Sequence, residues 1–388
     1  GSEFLVIDPL PRPRVRSRVP IVGASAVRGV AYHDGSLFGY VGSSSNGVTV
    51  FDLSDPEEPI QFAVAGERRA VAALALHYEM TGEVTVVAAT DQGTAFYEAH
   101  TVGRSRTVAT VVTPGRARQV RLAGSRRGPM VLVADTSGVA AMGARNAVRV
   151  RESAAEPERY ISVGSDVTGV DAIVDGGRTL LFAADREEGL FLYDLDRPRQ
   201  PLAHLSADLM PLDVLAEGRA DGTLLAYVLD ERWGLVIVDI TDPETPIQRS
   251  ATRVVDPRGF CRVGDRLYLA DAGSGVVIVD VSNTTLPETV RTVDLPGARD
   301  IHLHQKRDGS VIGLAVTSNG LVVLSSEGAH PEELALRGTY QTQFAERVYV
   351  DEEYALVNEG VLGLNVLDLS NPDRPRRVSG SDLTYASG

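Results

Sequence analysis

The sequence predicts an all-β fold, a single eight-bladed β-propeller of four-stranded antiparallel blades. Three observations carry this expectation. A glycine-led apolar segment recurs eight times, 41 to 51 residues apart. The fuller copies run from strand-type residues into an Asp-Pro turn, and no amphipathic helix of useful length interrupts the series.

The clearest copies are Gly234–Pro246 (GLVIVDITDPETP), Gly275–Asn283 (GVVIVDVSN), Gly47–Pro59 (GVTVFDLSDPEEP), Gly363–Pro375 (GLNVLDLSNPDRP) and Gly189–Pro201 (GLFLYDLDRPRQP); weaker ones begin at Gly93, Gly138 and Gly320. Branched residues such as Val236, Ile237 and Val238 favour a buried pleated strand. Proline cannot donate to a ladder, so the DPxxP segment is a turn. One full unit reads as strands at Gly259–Val263, Arg266–Ala270, Val276–Val281 and Thr289–Val293. A lone sheet of this kind leaves two apolar faces in water, whereas radial stacking buries each against a neighbour. A solenoid is the structural alternative, but its rungs are usually shorter and need caps.

Blades are expected over residues 21–66, 67–113, 114–165, 166–207, 208–255, 256–297, 298–340 and 341–388, forming one domain from residue 5 onward. Residues 5–20 repeat the third-to-fourth strand passage of the last unit and are expected to latch the ring as a closing strand. Residues 1–4 read as an expression scar.

The units resemble the LVIVD repeat, a bacterial and archaeal β-propeller family named after the pentapeptide seen here as Leu235-Val236-Ile237-Val238-Asp239. The second and third units depart from it, with Glu98 and Gly143 in place of the terminal aspartate. The resemblance implies the propeller fold and an extracytoplasmic or cell-surface location; it implies no catalytic residue. The aspartates closing the motif, Asp52, Asp194, Asp239, Asp280 and Asp368, are expected to accept backbone hydrogen bonds in the following turn.

The formal net charge of −14 and pI near 5.0 disfavour a phosphate backbone as partner, so nucleic acid is not expected. No signal peptide or run of about 20 apolar residues is visible, so no membrane span is expected. The compartment stays open, because a removed export signal leaves the same sequence. The single cysteine, Cys261, excludes an intramolecular disulfide and sits in an apolar stretch as a packing thiol, without a Cys-His signature.

In a propeller, inner-strand starts and the loops between second and third strands share the mouth of the central channel. The inner-strand starts carry Arg28, Arg118, Arg258 and Arg299, with Asp213, Asp300, Glu346 and Arg347 at the same or the next position. The loops add Asp91, Asp135, Asp185, Asp230 and Asp271. Arginine's planar fork matches a carboxylate, so this set reads either as salt bridges between blades or as a ring for an anionic ligand. Trp233 lies beside the mouth, as a partner contact or as a plug between blades.

A weaker pattern is metal-like: Asp300, His302 and His304 alternate along one strand, and His304 aligns with His33, His77 and Asp351. No tight ligand spacing supports it, so no cofactor is predicted and a divalent metal is the lesser reading. No GxSxG elbow or phosphate loop occurs. The sequence therefore reads as a non-catalytic scaffold binding a protein, peptide, glycan or small anionic ligand. The alternative is a lyase, cyclase or hydrolase with an Arg/Asp/His site in the funnel.

Overall fold

Runs of valine, leucine and isoleucine between glycine and aspartate form strands throughout. The computed structural model describes the backbone of residues 2–8, 14–21, 24–31, 37–43, 47–52, 60–65, 71–78, 84–90, 93–99, 106–111, 113–115, 117–125, 128–143, 159–205, 208–306, 308–326, 333–342, 345, 347–351, 354–358, 364–369 and 371–380; outside 159–326 many of these positions are described by backbone alone. No α-helix occurs among the described residues, so no helix there is long and apolar enough to cross a membrane.

The strands pair into antiparallel four-stranded sheets, each in sequence order. The first sheet comprises Ala24–Ala31, Leu37–Ser43, Gly47–Asp52 and Ile60–Ala65, and the second Val71–Tyr78, Val84–Thr90, Gly93–Ala99 and Arg106–Val111. The third comprises Ala117–Ser125, Gly128–Asp135, Gly138–Gly143 and Arg159–Ser162; the fourth Val167–Asp175, Arg178–Asp185, Gly189–Asp194 and Ala203–Leu205; the fifth Pro211–Gly218, Leu224–Asp230, Gly234–Asp239 and Ile247–Thr252. The sixth has Pro257–Val263, Arg266–Asp271, Gly275–Asp280 and Glu288–Asp294, the seventh Asp300–Gln305, Val311–Thr317, Gly320–Ser325 and Ala335–Tyr340, and the eighth Arg347–Asp351, Tyr354–Asn358, Leu364–Asp368 and Arg376–Gly380. The chain divides into two compact units, one of residues 28–51 and 61–253, the other of 1–27, 52–60 and 254–388.

Within the first of these units, the fourth sheet is apolar on both faces. Along Arg178–Asp185, Leu181 and Ala183 pack with Leu132, Ala134, Val139 and Ala141 of the third sheet. The alternate residues Leu180, Phe182 and Ala184 pack with Val214, Leu224, Ala226 and Val228 of the fifth. Period-two alternation thus serves two interfaces at once, and each fully buried Leu or Phe contributes about 1.5–3 kcal/mol. In the other unit the same logic joins the sixth and seventh sheets through Tyr268, Ile278, Ile301 and Leu303. It joins the seventh and eighth through Leu314, Val316, Val350 and Val357.

The glycine anchors have a steric basis. Gly275 begins the third strand at φ +115°, and a Cβ there would lie 2.2 Å from the Val293 carbonyl oxygen. At the motif's other end the predicted turn bonds are present: Asp194 accepts from the Asp196 amide (2.8 Å), Asp239 from Thr241 (2.8 Å) and Asp280 from Ser282 (2.7 Å). Asp239 also binds Arg249, and Asp280 pairs with Arg266 at 2.6 Å. The side chains of Asp52 and Asp368 lie outside the described residues.

At the N-terminus, Ser2–Asp8 and Arg14–Ile21 pair with each other in antiparallel register from Ser2↔Ile21 to Asp8↔Arg14. Ser2, Glu3 and Phe4 are therefore strand residues. Ser2–Asp8 lies beside Arg376–Gly380 of the eighth sheet, while its ladder runs to Arg14–Ile21.

Candidate binding face and its comparisons

Four carboxylates expected on the mouth are fully buried: Asp135, Asp185, Asp230 and Asp271. Each ends a second strand and bonds backbone amides on two sides. Asp230 accepts from the Met210 amide (2.6 Å) ahead of the first strand and from Arg232 (2.9 Å) and Trp233 (2.8 Å) in the hairpin turn. Asp185 does the same with Asp166, Glu187 and Glu188. Asp271 bonds the amides of Asp256 and Gly273 and the Ser274 hydroxyl. Asp135 bonds Gly115, Ser137 and the Tyr160 hydroxyl.

Among the described residues these four carboxylates pair with amides and not with arginines. The reason is that turn N–H groups enclosed with a carboxylate must find an acceptor. Burial pushes the Asp271 carboxyl upward, but its hydrogen bonds outweigh this and hold it below the ordinary carboxylate range. Asp91 lies outside the described residues.

A second set of acceptors runs along the first strands. Gln119 Oε1 accepts the amide of Val170 on the next sheet (2.9 Å), and Asp300 Oδ2 accepts that of Val348 (3.2 Å). Two residues further along the strand, Asp171 Oδ2 accepts from Ala216 (2.9 Å) and His302 Nδ1 from Val350 (3.2 Å). At the matching place on the sixth sheet, the Cys261 sulfur meets the amide of Leu303. Each of these bonds lies within one unit and ties the first strands of two consecutive sheets.

Burial pushes the Asp171 carboxyl upward, partly offset by Arg121. It pushes the Cys261 thiol up to about 12.

Glycine permits this close approach. A Cβ on Gly169 would stand 2.6 Å from Asp213 Oδ1, and one on Gly259 would stand 3.0 Å from Asp300 Oδ1.

The sequence candidates fall into distinct groups. Asp213 is half-buried, accepts the Val214 amide (2.8 Å) and stands 3.6 Å from Arg121 and 3.4 Å from Gln119 Nε2. Arg258 is exposed at the bulge that opens its strand and pairs with Asp256 at 2.7 Å. Arg299 is exposed beside buried Asp300, its backbone N–H donating to Val316 (2.7 Å). His304 is half-buried on the same strand as His302.

Arg28, Arg118, Arg347 and His77 lie on described strands without described side chains, and His33 and Glu346 lie outside the described residues. Among the described residues no three His, Cys, Asp or Glu side chains converge to hold a metal ion.

Trp233 is 46% exposed, so it does not plug an interior gap. Its indole N–H donates to the Asp208 carbonyl (3.1 Å). Beside it Glu231 accepts both Nε and an Nη of Arg186, at 3.0 and 2.6 Å, tying the hairpin turns of the fourth and fifth sheets.

Sequence reading missed the first-strand acceptors Gln119, Asp171 and Cys261. Their signal was positional: Asp171 and Cys261 share one strand offset with His302, and Gln119 shares another, two residues earlier, with Asp300, although the residue types differ.

The LVIVD repeat pattern matches residues 37–62, 225–250, 263–294 and 344–379, which include the third strands of the first, fifth, sixth and eighth sheets. The chain carries LVIVD repeats at these four places. The fold has propeller-like neighbours among solved structures. The computationally designed Ika8 protein matches with TM-score 0.62 at 10% identity, over 94% of this chain and 99% of its own. Saccharomyces cerevisiae Sqt1 matches with TM-score 0.63 at 11% identity, over 89% of this chain and 95% of its own. BBS1N, solved in complex with ARL6DN, matches with TM-score 0.50 at 12% identity, over 81% and 92%. A search of curated proteins found no match.

Proposed function

We propose that this LVIVD-repeat chain is a closed eight-bladed propeller acting as a non-catalytic binding scaffold. In this reading the N-terminal hairpin completes the ring beside the last sheet, and the mouth face takes a protein, peptide, glycan or small anionic ligand. The extracytoplasmic or cell-surface placement follows from the family resemblance.

One observation carries the functional reading: among the described residues, buried mouth carboxylates, the His302 imidazole and the Cys261 thiol are engaged by backbone amides. Asp185, Asp230, Asp271, Asp300 and His302 each accept from main-chain N–H groups. General acid-base work needs a side chain within reach of a substrate proton, and groups held this way are poorly placed for it. Arg299 is exposed, as is Arg258 beside its Asp256 partner, and both carry the guanidinium chemistry that captures carboxylates and phosphates. Propeller-like BBS1N, crystallised with ARL6DN, is a precedent of fold for a binding role.

The test is binding by the full chain and by Arg258→Glu and Arg299→Glu variants to a panel of acidic peptides, carboxylate ligands and glycans. A partner bound by the parent and lost from both variants, with unchanged circular dichroism, is the expected outcome. Turnover of a defined substrate that disappears in Arg299→Ala would replace the scaffold reading with an enzyme.

A further inference from the structure

Outside the arginines of the strand starts, one surface combines a fixed aromatic ring with a long, solvent-exposed ion pair. Trp233 is held at both ends: its backbone N–H donates to buried Asp230 (2.8 Å) and its indole N–H to the Asp208 carbonyl (3.1 Å). The indole donor is therefore engaged, and what a partner meets is the apolar ring. Holding the ring in place beforehand removes the entropy of ordering it on binding.

Next to the ring, Arg232 and Asp208 form an ion pair at 3.8 Å, too long for a direct hydrogen bond, with side chains 57% and 78% exposed. The neighbouring Arg186–Glu231 pair is closed at 2.6 Å and limits the patch on that side. Two arginines and two carboxylates leave the surface without net charge.

We propose that this surface is a binding site for a neutral carbohydrate. A sugar hydroxyl both donates and accepts, so one hydroxyl can bridge Arg232 and Asp208 at once. A carboxylate ligand would be repelled by Asp208, and an ammonium ligand by Arg232. The apolar C–H face of a pyranose covers an exposed indole ring without needing its N–H. The site deepens the scaffold reading and rests on it.

Trp233 is the only tryptophan in the chain, so its emission reports this site alone. The experiment titrates the full chain with neutral probes, namely glucose, galactose, mannose, N-acetylglucosamine and their short oligomers, and follows tryptophan fluorescence. Saturable change with at least one probe is expected, insensitive to salt because the ligand carries no charge. Asp208→Asn and Arg232→Gln should each weaken it about tenfold, the loss of roughly one hydrogen bond. Trp233→Ala should abolish heat release in calorimetry while circular dichroism stays unchanged.

No response to any probe at tens of millimolar overturns the proposal, as does a response that survives all three variants. A protein or anionic ligand that quenches Trp233 where no neutral sugar does also overturns it. A partner lost on Arg258→Glu and Arg299→Glu with no sugar response would sink the carbohydrate site and leave the scaffold standing. A sugar response unaffected by those two variants would place recognition at Trp233 and away from the strand starts.

Discussion

His302 Nδ1 accepts the Val350 amide at the strand position where, one sheet earlier, the Cys261 sulfur meets the amide of Leu303 and where Asp171 accepts from Ala216. An imidazole, a thiol and a carboxylate thus perform one task. What the position requires is an acceptor of the right reach, and its chemistry is otherwise free.

The first prediction concerns His302. In His302→Leu the Val350 amide loses its acceptor, and the chain should lose about 1–3 kcal/mol of stability. His302→Asn should recover most of this, because its Oδ1 stands near the place of Nδ1. Urea unfolding midpoints of the three proteins check it; equal losses in both variants would mean that packing, and not the hydrogen bond, sets the cost.

Cys261 should be inert in the folded chain. Burial pushes its thiol up to about 12, so little thiolate forms near pH 8. Ellman's reagent is expected to titrate no thiol in native protein and one per chain in guanidinium. Rapid native labelling would contradict the placement of the sulfur against Leu303.

Gly169 and Gly218 make a matched pair. A Cβ on Gly169 meets Asp213 Oδ1 at 2.6 Å and its Cα at 2.8 Å, whereas one on Gly218 meets the end of the Ile173 side chain at 3.2 Å. Gly169→Ala is therefore expected to destabilise by about 1–3 kcal/mol through overpacking, and Gly218→Ala much less. Thermal unfolding of both variants provides the comparison.

Acid should weaken the fold through the turn aspartates. The Asp271 and Asp280 carboxyls are held below their ordinary range: burial acts to raise each, and hydrogen bonds outweigh it, to Ser274 and the Asp256 and Gly273 amides for Asp271 and to Ser282 and Arg266 for Asp280. A folded value below the unfolded one gives stability that is full above the unfolded range near 4 and is lost as pH falls through the folded value. Asp271→Asn should be less stable than the parent at pH 7, and the gap should narrow toward pH 3. A constant gap across that range would contradict the assignment.

The strands were legible because glycine, the apolar run and the Asp-Pro turn mark the third strand of each clear repeat. The reading placed a strand at Arg266–Ala270, and the structure has Arg266–Asp271. The missing residue is informative, since Asp271 looked like a loop carboxylate and is the buried end of the ladder. Charge alone suggested that Asp135, Asp185, Asp230 and Asp271 would seek arginines. Which donor wins depends on three-dimensional distance, and the turn amides stand within 2.6–3.1 Å of these carboxylates. Gln119 and Asp171 were invisible for a related reason: their partners are amides on the following sheet, and main-chain donors leave no trace in residue type.

The double grip of Asp230 on the residues before its first strand and on its hairpin has an engineering consequence. Because Met210, Arg232 and Trp233 are fastened through their own main chains, the side chains on that hairpin are replaceable cargo on a fixed mount. Residues 187–188 and 232–233, whose amides Asp185 and Asp230 hold, are thus ready-made sites for library diversification, where new recognition surfaces can be selected without redesigning the sheets beneath.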